Sequence, residues 1–352
     1  MSGCLREKFQ ERLLFHLIEN MASKKFKALE VKEIEPGKFQ STIVAKNIDE
    51  LPAGEVLIRV HYSSVNYKDA LSANGNKAVT RGYPHIPGID VSGVVEESSS
   101  AIWHRHDQVI VTGFDLGMNT SGGFAEYIRV PAAWVLKLPD GLTLREAMIY
   151  GTAGLTAGLS VSALIHENVF PEMGTVAVSG ATGGVGSLSV ALLARLGYRI
   201  AAISSKASSK NYLESIGASE VIARADMEDK TGKILLRPRF AAAIDTVGGN
   251  VLSTLINSLD YGGVVTACGM VNGGDLNTTV FPFILKGIKL IGIDSVELPL
   301  IERMPIWENL GSSWRPEKLN ELAQEVALSD LPQVLDQISQ GQMQGRAIVS
   351  LY

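Results

Sequence analysis

Hydrophobic and polar positions change rhythm along this chain of 352 residues. From about residue 26 to 150, short runs alternate with period two. EVLIRVHYSSV (55–65), DVSGVVEES (90–98) and QVIVTGF (108–114) are rich in β-branched residues. Glycine, proline and aspartate punctuate them, which predicts strands and turns. After Tyr150 the rhythm becomes strand, helix, strand. TVAVSG (175–180), YRIAAIS (198–204), EVIAR (220–224), FAAAIDTVG (240–248), GGVVTACG (262–269) and IKLIGIDSV (288–296) are near-continuous apolar runs, as buried parallel strands are. SLSVALLARLG, NYLESIG and VLSTLINSL lie between them with helical spacing. Such alternation predicts a doubly wound parallel sheet, the Rossmann arrangement. From 297 the chain reads as polar helices and closes on a last strand at 345–351. The predicted fold class is therefore α/β: a β-rich domain from 25–150 and 297–352, with a Rossmann domain of 151–296 inserted.

Residues 1–24 stand apart. Leu5, Phe9, Leu13 and Leu17 recur every four positions, an amphipathic helical stripe. Glu7, Glu11 and Glu19 make it a poor transit peptide, and it lacks the apolar core of a signal peptide. Met21 is a second candidate start, so the stripe reads either as an upstream addition or as a packing helix.

Composition narrows the function classes. A hydrophobic content of 46% is enough for one large or two modest cores. The net charge of −5 leaves no basic footprint for nucleic acid or an anionic membrane. No apolar run reaches the ~20 residues of a membrane span. Cys4 and Cys268 are too few for a disulfide framework or a four-cysteine zinc site. A reducing, cytoplasmic setting is the expectation. The pair His104 and His106 with Asp107 reads as a surface turn rather than a metal site.

The chemistry starts at 176–206, VAVSGATGGVGSLSVALLARLGYRIAAISSK. A strand runs into a variant of the dinucleotide fingerprint, carried by Ala181, Gly183 or Gly184, and Gly186. A helix follows and stops at Gly197. The turn lets backbone approach a pyrophosphate, and the helix start offers free N–H groups and a positive dipole end. The second strand ends in Ser204, Ser205 and Lys206, where an NAD site would place an acidic residue for the ribose 2′-hydroxyl. Two hydroxyls and a lysine, joined by Arg224 after the next strand, suit a 2′-phosphate. The cofactor expected is NADP(H), not NAD(H).

A β-rich domain ahead of this Rossmann domain resembles the medium-chain dehydrogenase/reductase superfamily. The resemblance implies a GroES-like catalytic domain and a cleft between the two domains. In the superfamily's zinc alcohol dehydrogenases, a cysteine near 66 and a Gly-His-Glu near 88–90 help hold the metal. Here SVNYKD (64–69) has no cysteine, and Ile89 stands where the histidine belongs. No metal is expected. NYKDALS, IPGIDVSG, GTAGLTA (151–157), SGATGGVGS, IDTVG, YGGVVTACG, FPFILKGIKLIGIDSV and QGRAIV together, over residues 27–352, resemble the acrylyl-CoA reductase branch. The resemblance implies NADPH-dependent reduction of the acrylyl-CoA C=C bond to propanoyl-CoA.

It also implies site residues. Tyr67 lies near the nicotinamide. Thr182, Gly183, Gly184 and Val185 hold the pyrophosphate. Ser204, Ser205, Lys206 and Arg224 hold the 2′-phosphate. Met270, Ile284 and Ser295 line the nicotinamide pocket, and Gly341 contributes backbone from the returning tail. Lys206 stands where an arginine is expected. Tyr67 and Asn66 are the candidates for polarising the thioester carbonyl or orienting the nicotinamide. Lys68 and Asp69 read as a structural pair, and Cys268 as a strand residue rather than a nucleophile. Lys77, Arg81 and Arg346 are candidates for the CoA phosphates at the cleft mouth. A homodimer through the last Rossmann strands is implied, with no nucleic-acid or membrane partner. Two other readings stay open: a broad NADPH quinone or enone oxidoreductase, and an NADPH-binding sensor without turnover.

Overall fold

The structure, a computed structural model, describes residues 24–352; the predicted stripe over the first residues, with Cys4, lies outside the described residues. The chain opens with an antiparallel hairpin of β1 (Lys25–Glu35) and β2 (Lys38–Asn47), turning at Gly37 with φ +74°. A seven-stranded sheet follows, built from β3 (Val56–Val65), β4 (Asp90–Ser98), β5 (Gln108–Thr112), β6 (Tyr127–Val130) and β7 (Val135–Lys137). Its remaining two strands come from the end of the chain, β14 (Ala323–Ala327) and β15 (Arg346–Ser350). β15 pairs antiparallel with β3, Ile348 opposite Ser64, so the tail returns to the first sheet. The short helix α1 (Tyr67–Ala73) leaves the end of β3.

The second sheet is wholly parallel, in the order β10-β9-β8-β11-β12-β13. Its strands are β8 (Thr175–Val178), β9 (Arg199–Ser204), β10 (Glu220–Ala223), β11 (Phe240–Asp245), β12 (Leu259–Ala267) and β13 (Lys289–Gly292). In chain order this is 3-2-1-4-5-6, the doubly wound dinucleotide-binding arrangement. The helices α3 (Gly184–Arg195), α4 (Lys210–Ser215), α5 (Gly249–Ser258) and α6 (Phe281–Lys286) accompany it. All six residues of β11 are buried, which explains the apolar run from Phe240 to Ile244. β13 is shorter than its apolar run predicts. It is the sheet's edge, and past Gly292 the chain turns away after Ile293 N–H donates to the Ala267 carbonyl.

The long helix α2 (Leu144–His166) joins the two sheets. By length and composition it is apolar enough to cross a membrane, contrary to the expectation that no apolar run reaches that length. Its apolar stretch is 72% buried within the protein, against β3, β4 and α3. One core cluster contains Tyr62 and Ile110 of the first sheet, Leu155 and Val161 of α2, and Val176 and Ile200 of the second. α2 breaks at Gly151 (φ 51°, ψ −154°), one residue past Tyr150, where the rhythm of the sequence changes. α7 (Leu300–Gly311) packs on α2, and α8 (Leu331–Ser339) on α1.

Candidate active site

The site is assembled from strand ends and helix starts. β8 runs into Gly180 (φ +57°), and Gly183 N-caps α3 without a capping side chain. The first-turn N–H groups of α3 therefore face outward with no intrahelical acceptor and a positive dipole behind them. A Cβ on Gly186 would lie 2.2 Å from the Gly180 carbonyl oxygen, so the turn admits only glycine there. Thr182 is buried, and its carbonyl accepts the Gly345 N–H at 3.0 Å. The residues predicted for a pyrophosphate, Thr182 to Val185, thus form one cradle.

The four residues predicted for a 2′-phosphate meet on one edge. Ser204 ends β9 and pairs in register with Ala223 of β10, which sets Arg224 beside Ser205. The Ser204 hydroxyl accepts the Lys206 N–H at 3.0 Å. Lys206 Nζ donates to the Met343 carbonyl, and burial lowers its pKa. Arg224 donates from Nε to Glu228 at 2.9 Å and from Nη2 to Asn272 Oδ1. No carboxylate follows β9 where a free ribose 2′-hydroxyl would need one. These residues fit NADP(H).

Of the residues predicted for the nicotinamide end, Tyr67 is the first residue of α1 and is 44% exposed. Met270 and Ile284 are exposed at 74% and 68%. Ser295 is buried, its hydroxyl 2.7 Å from that of Thr156 on α2. Gly341 occupies an exposed turn with φ +67° after α8. A Cβ there would meet nothing, and the tail touches the cradle through Gly345 instead.

The place where zinc relatives hold their metal is a closed hydrogen-bond cluster. Asp90 is fully buried and accepts from Ser64 Oγ (2.5 Å), Asn66 Nδ2 (2.8 Å), Thr152 N–H (2.8 Å) and Thr152 Oγ1 (2.5 Å). Gly151 makes this possible: a Cβ there would lie 2.2 Å from Ser64 Oγ and 2.5 Å from Asp90 Oδ2. Ile89 brings no donor atom. Among the described residues, no three His, Cys, Asp or Glu side chains are placed to share a metal ion.

Several expectations need correction. Asn66 is not free to polarise a substrate, because its amide donates to Asp90 and its Oδ1 accepts from Arg346 Nη1 at 3.3 Å. Arg346 is not at the cleft mouth. It is 3% exposed and donates to the carbonyls of Ile149 and Val65, both at 3.1 Å. Its Nη1 is 2.8 Å from where a Cβ on Gly184 would stand, so its charge lies against the start of α3. Its other terminal nitrogen, Nη2, is buried without a partner. Asp69 does not pair with Lys68. It accepts the N–H groups of Asn66, Gly88 and Ile89 at 2.8, 3.1 and 3.0 Å. Burial, with Asp90 nearby, pushes its pKa up to about 7 against those three donors.

Other predicted residues keep ordinary surroundings. The Arg81 side chain is exposed, and Lys77 sits over the Tyr83 ring, 4.7 Å from its centroid. His104 lies on an exposed turn, 3.9 Å from Asp107. Cys268 donates to the Asp245 carbonyl, and burial raises its thiol to about 12, far from a nucleophile. Sequence reasoning missed Thr152 and Thr156 as parts of the site. The glycine-broken GTAGLTA segment was the available signal, since it marks a strained turn inside an apolar run.

The alcohol dehydrogenase GroES-like domain family matches residues 52–140, and the zinc-binding dehydrogenase family matches 184–305. The latter match excludes residues 66 and 88–90, so its name says nothing about the metal position here. Acrylyl-CoA reductase AcuI of Ruegeria pomeroyi is 41% identical over 327 residues, 93% of this chain and 99% of that protein. The yhdH oxidoreductase of Salmonella enterica, solved in complex with NADP, is 42% identical with a TM-score of 0.90, covering 93% of this chain and all of that one. The yhfP protein of Bacillus subtilis, solved with NAD bound, is 41% identical with a TM-score of 0.91, covering 94% and 100%. This chain belongs to the medium-chain dehydrogenase/reductase superfamily of oxidoreductases, in its branch of acrylyl-CoA reductases and quinone oxidoreductases.

Proposed function

We propose that the protein is a metal-independent NADPH reductase that converts acrylyl-CoA to propanoyl-CoA. The observation that carries this reading is the cluster around Asp90. Four hydrogen bonds occupy its two oxygens and Ile89 offers no ligand, so these side chains do not build a Lewis-acid pole for an alcohol or aldehyde oxygen. An alkene conjugated to a thioester carbonyl needs no such pole, because its own carbonyl draws electrons from the β-carbon. When bound, NADPH supplies the hydride that adds at that carbon.

The chain's residues do the rest. The α3 start and Arg346 put positive charge under the diphosphate. Ser204, Ser205, Lys206 and Arg224 take the 2′-phosphate. Thr156 and Ser295, with Met270 and Ile284, bound the nicotinamide pocket. Tyr67 has no hydrogen bond from its phenol among the described residues, which leaves it available to donate to the thioester oxygen as charge builds there. The α-carbon takes its proton from solvent. Arg81, exposed and unpaired among the described residues, remains the candidate contact for a CoA phosphate. β13 exposes Leu290 at the sheet edge, with Val280 and Leu285 also exposed, which supports pairing with a second copy. A cytoplasmic setting accompanies this reading.

The test is to dialyse the protein against EDTA, add NADPH and acrylyl-CoA, and assay propanoyl-CoA by mass spectrometry. Full activity after chelation is expected. Loss of activity that zinc restores would overturn the proposal, as would absence of the product.

A further inference from the structure

The edge that faces a 2′-phosphate holds an anion of its own. Arg224 and Lys206 are its two cations, but both are engaged. Lys206 is held by a neutral carbonyl, that of Met343, which an incoming phosphate displaces without electrostatic opposition. Arg224 is different. Its Nε pairs with the carboxylate of Glu228, four residues on, at 2.9 Å, while Nη2 is held by Asn272. Both members of the pair are about one-third exposed, so neither charge is sealed off from a ligand. Asp226, between them in sequence, is exposed and forms no ion pair with Arg224 among the described residues. Glu228 thus cuts the local charge from two positive to one, where a group of about two negative charges must bind.

We propose that Glu228 is a specificity-determining residue that weakens discrimination between NADPH and NADH by competing with the 2′-phosphate for Arg224. This rests on the reading that NADP(H) binds here. Glu228 touches neither the pyrophosphate cradle nor the nicotinamide pocket, so its effect is confined to the phosphate that distinguishes the two cofactors. Removing a charge one side chain away from the phosphate, in partly screened surroundings, changes affinity by about three- to tenfold.

The experiment compares wild type with Glu228→Gln, which keeps the side-chain shape. Dissociation constants for 2′,5′-ADP and 5′-AMP are measured by titration calorimetry. The substitution is expected to tighten 2′,5′-ADP about three- to tenfold and to leave 5′-AMP within twofold. The gain must shrink in high salt and vanish when Arg224→Ala is added. Unchanged or weaker 2′,5′-ADP binding in Glu228→Gln overturns the inference, because Glu228 then merely braces Arg224. Equal binding of the two nucleotides by both proteins overturns the NADPH reading, and the inference with it.

Discussion

Replacing Asp90 with asparagine isolates the charge of the central cluster from its shape. In Asp90→Asn the remaining carbonyl oxygen can face Ser64, Asn66 and the Thr152 N–H, the three donors now on Oδ2. The new amide then turns to Thr152 Oγ1, whose hydroxyl rotates to accept. The Thr152 hydroxyl loses its anionic acceptor, and the other three hydrogen bonds lose their charge assistance, about 1 kcal/mol each. Arg346, buried nearby, also loses a counter-charge that favours its ionised form. The expected destabilisation is about 3 kcal/mol or somewhat more. Asp90→Ala leaves four donors without an acceptor and should cost about 5 kcal/mol or more. At about 2–4 °C per kcal/mol for domains of this size, Asp90→Asn lowers the thermal midpoint by about 6 °C or more. Scanning calorimetry of both variants beside wild type decides the matter. An Asp90→Asn midpoint within about 1 °C of wild type, or an alanine variant no worse than the asparagine one, refutes the reasoning.

Other consequences follow from single contacts. Gly186→Ala forces a Cβ against the Gly180 carbonyl and should abolish binding of 5′-AMP and 2′,5′-ADP alike. Lys206→Ala should raise KM for NADPH about tenfold and leave that for NADH unchanged, read in one spectrophotometric series. Tyr67→Phe should lower kcat about tenfold while moving NADPH KM less than twofold, which separates a hydroxyl role from ring packing. Asp69 predicts a pH dependence. Its folded pKa is raised, so its contribution to stability is full below about pH 4 and is lost as pH rises through about 7, by up to about 4 kcal/mol. Urea titrations from pH 4 to 8 should show this fall in wild type and its absence in Asp69→Asn, which does not titrate.

Much of the candidate site's layout was legible in the sequence because its parts are local. The glycine turn after β8, the Ser-Ser-Lys end of β9 and Arg224 after β10 each occupy a few consecutive residues with a fixed place in a parallel sheet. Arg346 was misplaced for the opposite reason. Its burial depends on β15 returning beside β3 some 280 residues later, and an arginine in a terminal strand carries no local mark of that pairing. Asn66 and Asp69 failed similarly: their partners are Asp90, Gly88 and Ile89 on a separate segment. The helix α2 was legible only as a change of rhythm, since its break at Gly151 interrupts the helical period. The apolar run at 288–296 overstated β13, because an exposed edge that awaits a partner can be as apolar as a buried strand.

The central claim is that a site whose side chains build no metal pole reduces an alkene conjugated to a CoA thioester. The most direct measurement is kcat/KM for acrylyl-CoA beside a simple quinone, with NADPH consumption followed for each. The account predicts at least ~10⁴ M⁻¹s⁻¹ for acrylyl-CoA, in the usual enzyme range, and a value for the quinone well below it. A quinone reduced as fast or faster would contradict it and leave a broad oxidoreductase in its place.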